Sequence, residues 1–148
     1  LQQLLAESLG KKKMGLMPVI SKCPKDHHSL LQLYLDGPKD KIFYIFNGKN
    51  NNRIKSKKNY FSKHSSYLKG KNLEDIISAQ KNSLVSCFKR NNIFFREFEI
   101  KKYSENTISE LFAYFIIETI LIGQSNKINP FNQPAVEQVK VRTKDILL

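Results

Sequence analysis

Apolar residues along this chain gather into short blocks separated by glycine, proline and lysine-rich punctuation, and the spacing within each block predicts its element. Leu1, Leu4 and Leu5 recur at helical spacing up to Gly10, a plausible C-cap, so the opening segment reads as a helix with Glu7 in its last turn. The apolar piece GLMPVIS at residues 15–21 is expected to form a strand. Asp26 suits the N-cap of a helix HHSLLQLYL that stops at Gly37-Pro38, placing His28 in the first turn. The run IFYIF at residues 42–46 is continuous rather than alternating, as in strands covered on both faces of a parallel sheet.

From Asn72 onward, Leu73, Ile76, Ile77, Leu84 and Phe88 mark one helical face, with Glu74 and Asp75 in the favourable first turn. A further strand, IFFREFEI, begins at Ile93. Residues 108–122 form the longest apolar stretch. It is interrupted by Glu110 and Glu118 and falls short of the roughly 20 residues needed to span a bilayer, so a buried helix is expected, with Thr107 and Glu110 at capping-box spacing. A last helix should start near Pro134. The order is helix, strand, helix, strand, helix, strand, helix, helix, which predicts an α/β domain with helices on a mostly parallel sheet.

Composition narrows the function classes. The 148 residues suffice for one domain with a core, 41% of them being hydrophobic. Beginning on Leu1 and directly on an amphipathic stretch, the sequence reads as a cut end, with no secretory signal in view. Cys23 and Cys87 lie far apart and form no metal-ligand spacing, which fits reduced thiols in a cytoplasmic protein with neither metal nor cofactor. The net charge of +12 raises the alternative of a basic nucleic-acid-binding module, with lysines and aromatics interleaved in KIFYIFNGK and KKNYFSKHSSYLK. Much of that excess falls in residues 39–71, with Asn50, Asn51 and Asn52 and the run KSKKN. It reads as a solvated, loop-like insertion with no specific nucleic-acid partner and no membrane role.

Three places hold polar groups beside apolar stripes: Glu7, the pair His27-His28, and the segment from Gln133 to Lys140. A lone helical glutamate is usually a surface residue and a lone helical histidine usually structural, so the interest lies in the combination. Gln133 and Lys140 are seven positions apart, which in a helix puts them on one face about two turns, roughly 10 Å, apart. Val136, Val139 and Thr143 share that face, so Lys140 should emerge from the edge of a buried stripe.

AESLGK at the start, DHHSLLQLYLDGP after it and NPFNQPAVEQVK near the end resemble, in order, three signature segments of bacterial glucose-6-phosphate isomerases. The resemblance runs from Leu1 to Leu148 and is weakest in the Lys/Asn-rich insert. It implies a sugar-isomerase (SIS)-like three-layer α/β domain with a mostly parallel sheet and C-terminal helices, a fragment of a larger two-domain enzyme. That enzyme interconverts glucose 6-phosphate and fructose 6-phosphate through ring opening and a cis-enediol. By the same resemblance Glu7 is the base moving the proton between C2 and C1, and His28 assists ring opening from the neighbouring subunit of a homodimer. Lys140 takes part in ring opening and substrate contacts, and Gln133 lines the sugar site. His27 stands where glutamine is common in the family.

The local electrostatics are compatible with those roles. Glu7 lies at the negative end of its helix, while Lys11, Lys12 and Lys13 act in the opposite sense; His28 lies at a positive end, which favours neutral imidazole. No serine/threonine-rich phosphate loop and no arginine for the enediolate can be pointed to, which implies a site shared with sequence outside these residues.

Overall fold

Residues 1–48 and 62–148 are described by the computed structural model. In chain order they form α1 (Gln2–Leu9), α2 (Lys25–Asp36), β1 (Phe43–Gly48), a 3₁₀ turn (Lys63–Leu68), α3 (Leu73–Arg90), β2 (Phe95–Ile100), α4 (Glu105–Ser125) and α5 (Pro134–Leu147). Two units result, one of Leu1–Ile20 with Ser104–Leu148 and one of Ser21–Tyr103.

The unit Ser21–Tyr103 is built on a βαβ connection. Strands β1 and β2 pair in parallel, Phe43 opposite Phe95 and Gly48 opposite Ile100, and α3 carries the chain between them. A parallel pair cannot be closed by a tight turn, so a long helical crossover is required. Helix α3 starts on a full capping box: Asp75 N–H donates to Asn72 Oδ1 (2.8 Å) and Asn72 N–H to Asp75 Oδ2 (3.1 Å). At its far end Phe88, 1% exposed, packs on Phe43 and Phe95 with centroids 4.7 and 6.0 Å apart. Lys81 of α3 also pairs with Glu97 of β2 at 2.5 Å. Period-two alternation then sends Tyr44, Phe46 and Phe98 to the opposite face, where Phe46 stacks on Phe98 at 5.0 Å.

Within the other unit, α1 packs on α4. Leu9, Phe115, Thr119, Gly123 and Ile128 are its buried residues. At Gly123 helix α4 comes close to the following turn: a Cβ there would stand 3.2 Å from Pro130 and 3.3 Å from the Ile128 carbonyl.

Several expectations are corrected. Residues 15–21 form no strand. Met17, Val19 and Ile20 are strongly exposed, Pro18 has no N–H to give a ladder, and no partner strand lies beside them among the described residues. Helix α2 begins at Lys25, one residue after Pro24. Asp26 therefore sits in the first turn instead of capping it, and its carboxylate reaches back to accept from Lys22 N–H at 2.6 Å. Helix α4 starts at Glu105 rather than after Thr107, capped by Ser104, whose hydroxyl accepts from Thr107 N–H at 3.3 Å. At 21 residues it is long and apolar enough to cross a membrane by length and composition alone. It is also not the buried helix expected. Phe112 is 61% exposed, Ile117 57% and Leu121 58%.

The strand run at residues 42–46 is only half-buried, Ile42 and Phe46 remaining exposed. Of the expected loop-like insertion, residues 63–68 are a 3₁₀ turn, and residues 49–61 lie outside the described residues.

Candidate functional site

Glu7 is placed by α1, a helix of eight residues ending at Gly10. Its carboxylate is gripped on both oxygens by neutral amides: Gln3 Nε2 donates to Oε1 (3.0 Å) and Gln133 Nε2 donates to Oε2 (2.9 Å). The first contact spans one helical turn and the second spans 126 residues. Sequence reasoning missed Gln3, although its position four residues before a candidate base was the signal.

The long-range contact depends on a stitched turn. Lys11 Nζ donates to the Asn129 carbonyl (2.5 Å) and Lys12 Nζ to the Lys127 carbonyl (2.9 Å), tying the exit of α1 to the turn after α4. Asn129 Oδ1 accepts from Phe131 N–H at 2.9 Å, so its side chain shapes the loop that delivers Gln133. Lys12 and Lys13 both adopt positive φ, 53° and 61°, which turns the lysine-rich segment sharply enough for this contact. The first and third motif segments thus meet at Glu7 and Gln133.

Lys140 does not join them. Gln133 is the N-cap of α5 and stands outside the helix, and Lys140 pairs with Glu137 one turn below it at 2.7 Å. The stripe expected around Lys140 is not buried: α5 has no buried residue, and Val136 and Val139 are exposed. The salt bridge is itself open to water and contributes little.

His28, in the unit Ser21–Tyr103, is the fourth residue of α2, exposed and without a hydrogen-bond partner among the described residues. Its neighbour His27 is engaged, with Nε2 at 2.7 Å from the Cys23 sulfur. Partial burial and then the charge of Asp26 push the Cys23 thiol up; which of the two groups donates follows the His27 tautomer.

A cavity of about 280 Å³ in the same unit is lined by His27, Tyr34, Tyr44, Phe46, Leu84 and Phe88 among others. These walls are mainly aromatic and aliphatic, poorly matched to a sugar phosphate. Among the described residues no three His, Cys, Asp or Glu side chains gather as metal ligands.

What the Glu7 cluster can do chemically is accept a proton. A carboxylate flanked by two amides has directional support without a neutralising cation, and the amides have further donors and acceptors for hydroxyl groups. In this chain Glu7 is exposed, so nothing yet excludes water from it.

No family model matches the sequence. Individual relatives do. A protein described as "Probable glucose-6-phosphate isomerase" from Methanococcus maripaludis is 38% identical over 93% of this chain and 31% of its own length. The glucose-6-phosphate isomerase of Methanocaldococcus jannaschii is 32% identical over 94% of this chain and 34% of its own, and that of Campylobacter jejuni 32% over 98% and 37%. In structure the chain is similar to a hypothetical protein from Thermus thermophilus, with a TM-score of 0.88 and 26% identity. That match covers 99% of this chain and 37% of the Thermus chain. The chain is a homologue of glucose-6-phosphate isomerases, spanning about one third of the length of the curated relatives it matches.

Proposed function

We propose that this chain supplies the proton-transfer part of an aldose-ketose isomerase acting on glucose 6-phosphate and fructose 6-phosphate. In this reading it is the C-terminal portion of a two-domain cytoplasmic enzyme, and its two-stranded sheet is part of a larger SIS-like three-layer domain. The single observation that carries the reading is the meeting of Glu7 with Gln133 across 126 residues, which joins two motif segments around one carboxylate.

The chemistry is a balanced shift of two hydrogens. Ring opening breaks the C1–O5 bond while the O1 proton leaves and O5 gains one, with His28 and Lys140 as the proton handlers once Lys140 leaves its exposed pair with Glu137; in the homodimer His28 serves the neighbouring subunit's site. Glu7 then takes the C2 proton of the open aldose as O1 gains a proton, leaving a cis-enediol. O2 gives up its proton and Glu7 returns the one it holds to C1, giving the ketose. Gln3 and Gln133 keep the carboxylate aimed through both steps. Efficient proton abstraction needs a base shielded from water, and the remainder of the isomerase provides that shield.

A chimera tests this, with the present chain replacing the matching third of the Methanococcus maripaludis relative. A folded chimera should interconvert the two sugar phosphates. In deuterated water it should place deuterium at C2 of glucose 6-phosphate and C1 of fructose 6-phosphate. Glu7→Gln should lower turnover by roughly 10² to 10⁴-fold and abolish that exchange. His28→Ala should slow turnover of cyclic substrate more than that of an open-chain analogue. Normal exchange in Glu7→Gln would show that the base lies elsewhere.

A further inference from the structure

Helix α4 is apolar around nearly its whole circumference, but only one stripe of it is covered. Phe115, Thr119 and Gly123, at four-residue intervals, are buried. Ile108, Phe112 and Ile116 form a second such row, with Ile117 and Leu121 beyond it, and all five are exposed. A helix that is hydrophobic all round belongs in the interior of a large protein or in a bilayer. An uncovered row of five large apolar side chains exceeds what scattered surface residues explain.

Two observations choose the occupant. The relatives and the Thermus chain are about three times longer than the matched region, so some two thirds of their length is available to cover α4. Lipid is disfavoured because Glu110 and Glu118 interrupt the helix and because its covered stripe is a protein contact against α1.

We infer that the row Ile108, Phe112, Ile116, Ile117 and Leu121 is the docking surface for the part of an isomerase-length polypeptide that this chain does not match, making α4 an interior helix of the assembled enzyme. The inference rests on the proposed function for the identity of that partner. Its physical cause is independent: these apolar side chains gain by leaving water.

Single cysteines at Phe112→Cys and Ile117→Cys, in a Cys23→Ser, Cys87→Ser background, report the surface directly. A maleimide should label both quickly in the isolated 148-residue chain and at least tenfold more slowly in the chimera. Equal rates in a folded chimera would overturn the inference. So would slow labelling in the isolated chain that accompanies dimerisation in sedimentation, or that appears only with phosphatidylcholine vesicles, since a second copy or a bilayer would then be the occupant.

Should the chimera fail to fold, the unmatched two thirds of the Methanococcus protein is co-expressed with the present chain. Stable association that Phe112→Asp and Ile117→Asp weaken supports the inference, and absence of association overturns it. Labelling is read apart from turnover. A protected but inactive chimera counts against the catalytic reading alone, and an active chimera with α4 open counts against the docking surface alone.

Discussion

Glu7 shows how far single residues carry the reading. Each carboxylate oxygen accepts one amide, and each such bond contributes about 0.5–1.5 kcal/mol at best in an exposed setting. Their value is direction. Glu7 and Gln133 stand out in the sequence because each lies in a motif. Lys140 is legible as a residue of the last helix, but its expected apolar setting is missing because Val136 and Val139 stay exposed among the described residues.

Cys23 offers a pH test at the same scale. Its thiol is pushed up by partial burial and then by Asp26, so ionisation favours the unfolded chain. The stability this contributes is fully present below the ordinary thiol value and is lost as pH rises through the raised one. In a Cys87→Ser variant, alkylation of Cys23 by iodoacetamide should reach half its maximal rate at a higher pH than a free cysteine peptide, and Asp26→Asn should move the midpoint back down. A midpoint at or below the peptide's would contradict the assignment.

Among the elements, the capping box of α3 lends itself to measurement. Asn72→Ala removes the acceptor for Asp75 N–H, and such a loss typically costs about 1 kcal/mol. Denaturant unfolding of Asn72→Ala, Asp75→Ala and the pair should show a sub-additive double variant, because the two bonds share one turn. Strict additivity would mean that the bonds act independently.

Helix α3 is legible in the sequence for a physical reason: its acidic first turn and the Leu84, Phe88 stripe are local signals fulfilled inside one unit. The parallel pairing of β1 with β2 is legible too, from a continuous apolar run whose long helical crossover leaves no hairpin available. Residues 15–21 and the burial of α4 are misread because apolar content reports what a segment would bury, whereas the burial itself depends on partners. Of the 21 residues of α4 only Phe115, Thr119 and Gly123 are buried, so its apolar content exceeds what the described residues cover.

For the whole molecule, the net charge of +12 is the quantity that competes with the isomerase reading. Charge alone gives attraction to any polyanion, whereas a nucleic-acid site needs exposed aromatics arranged to stack bases. Of the described aromatics of the sheet, Tyr44 packs on Phe98 and Phe43 on Phe88 of α3, and Phe46, although exposed, already stacks on Phe98.

Binding to single-stranded RNA or DNA should therefore be non-specific and governed by counterion release. The logarithm of affinity should fall linearly with the logarithm of salt, at about 0.7 per phosphate contacted on single strands. Fluorescence anisotropy with labelled oligonucleotides of several sequences, over roughly 50 to 200 mM salt, measures this. Equal affinities that collapse over this range fit a solvated basic face. A sequence preference of about tenfold or more that persists at the upper end of that range would require a built nucleic-acid site, and the basic segment at residues 39–71 would then have to be read as functional.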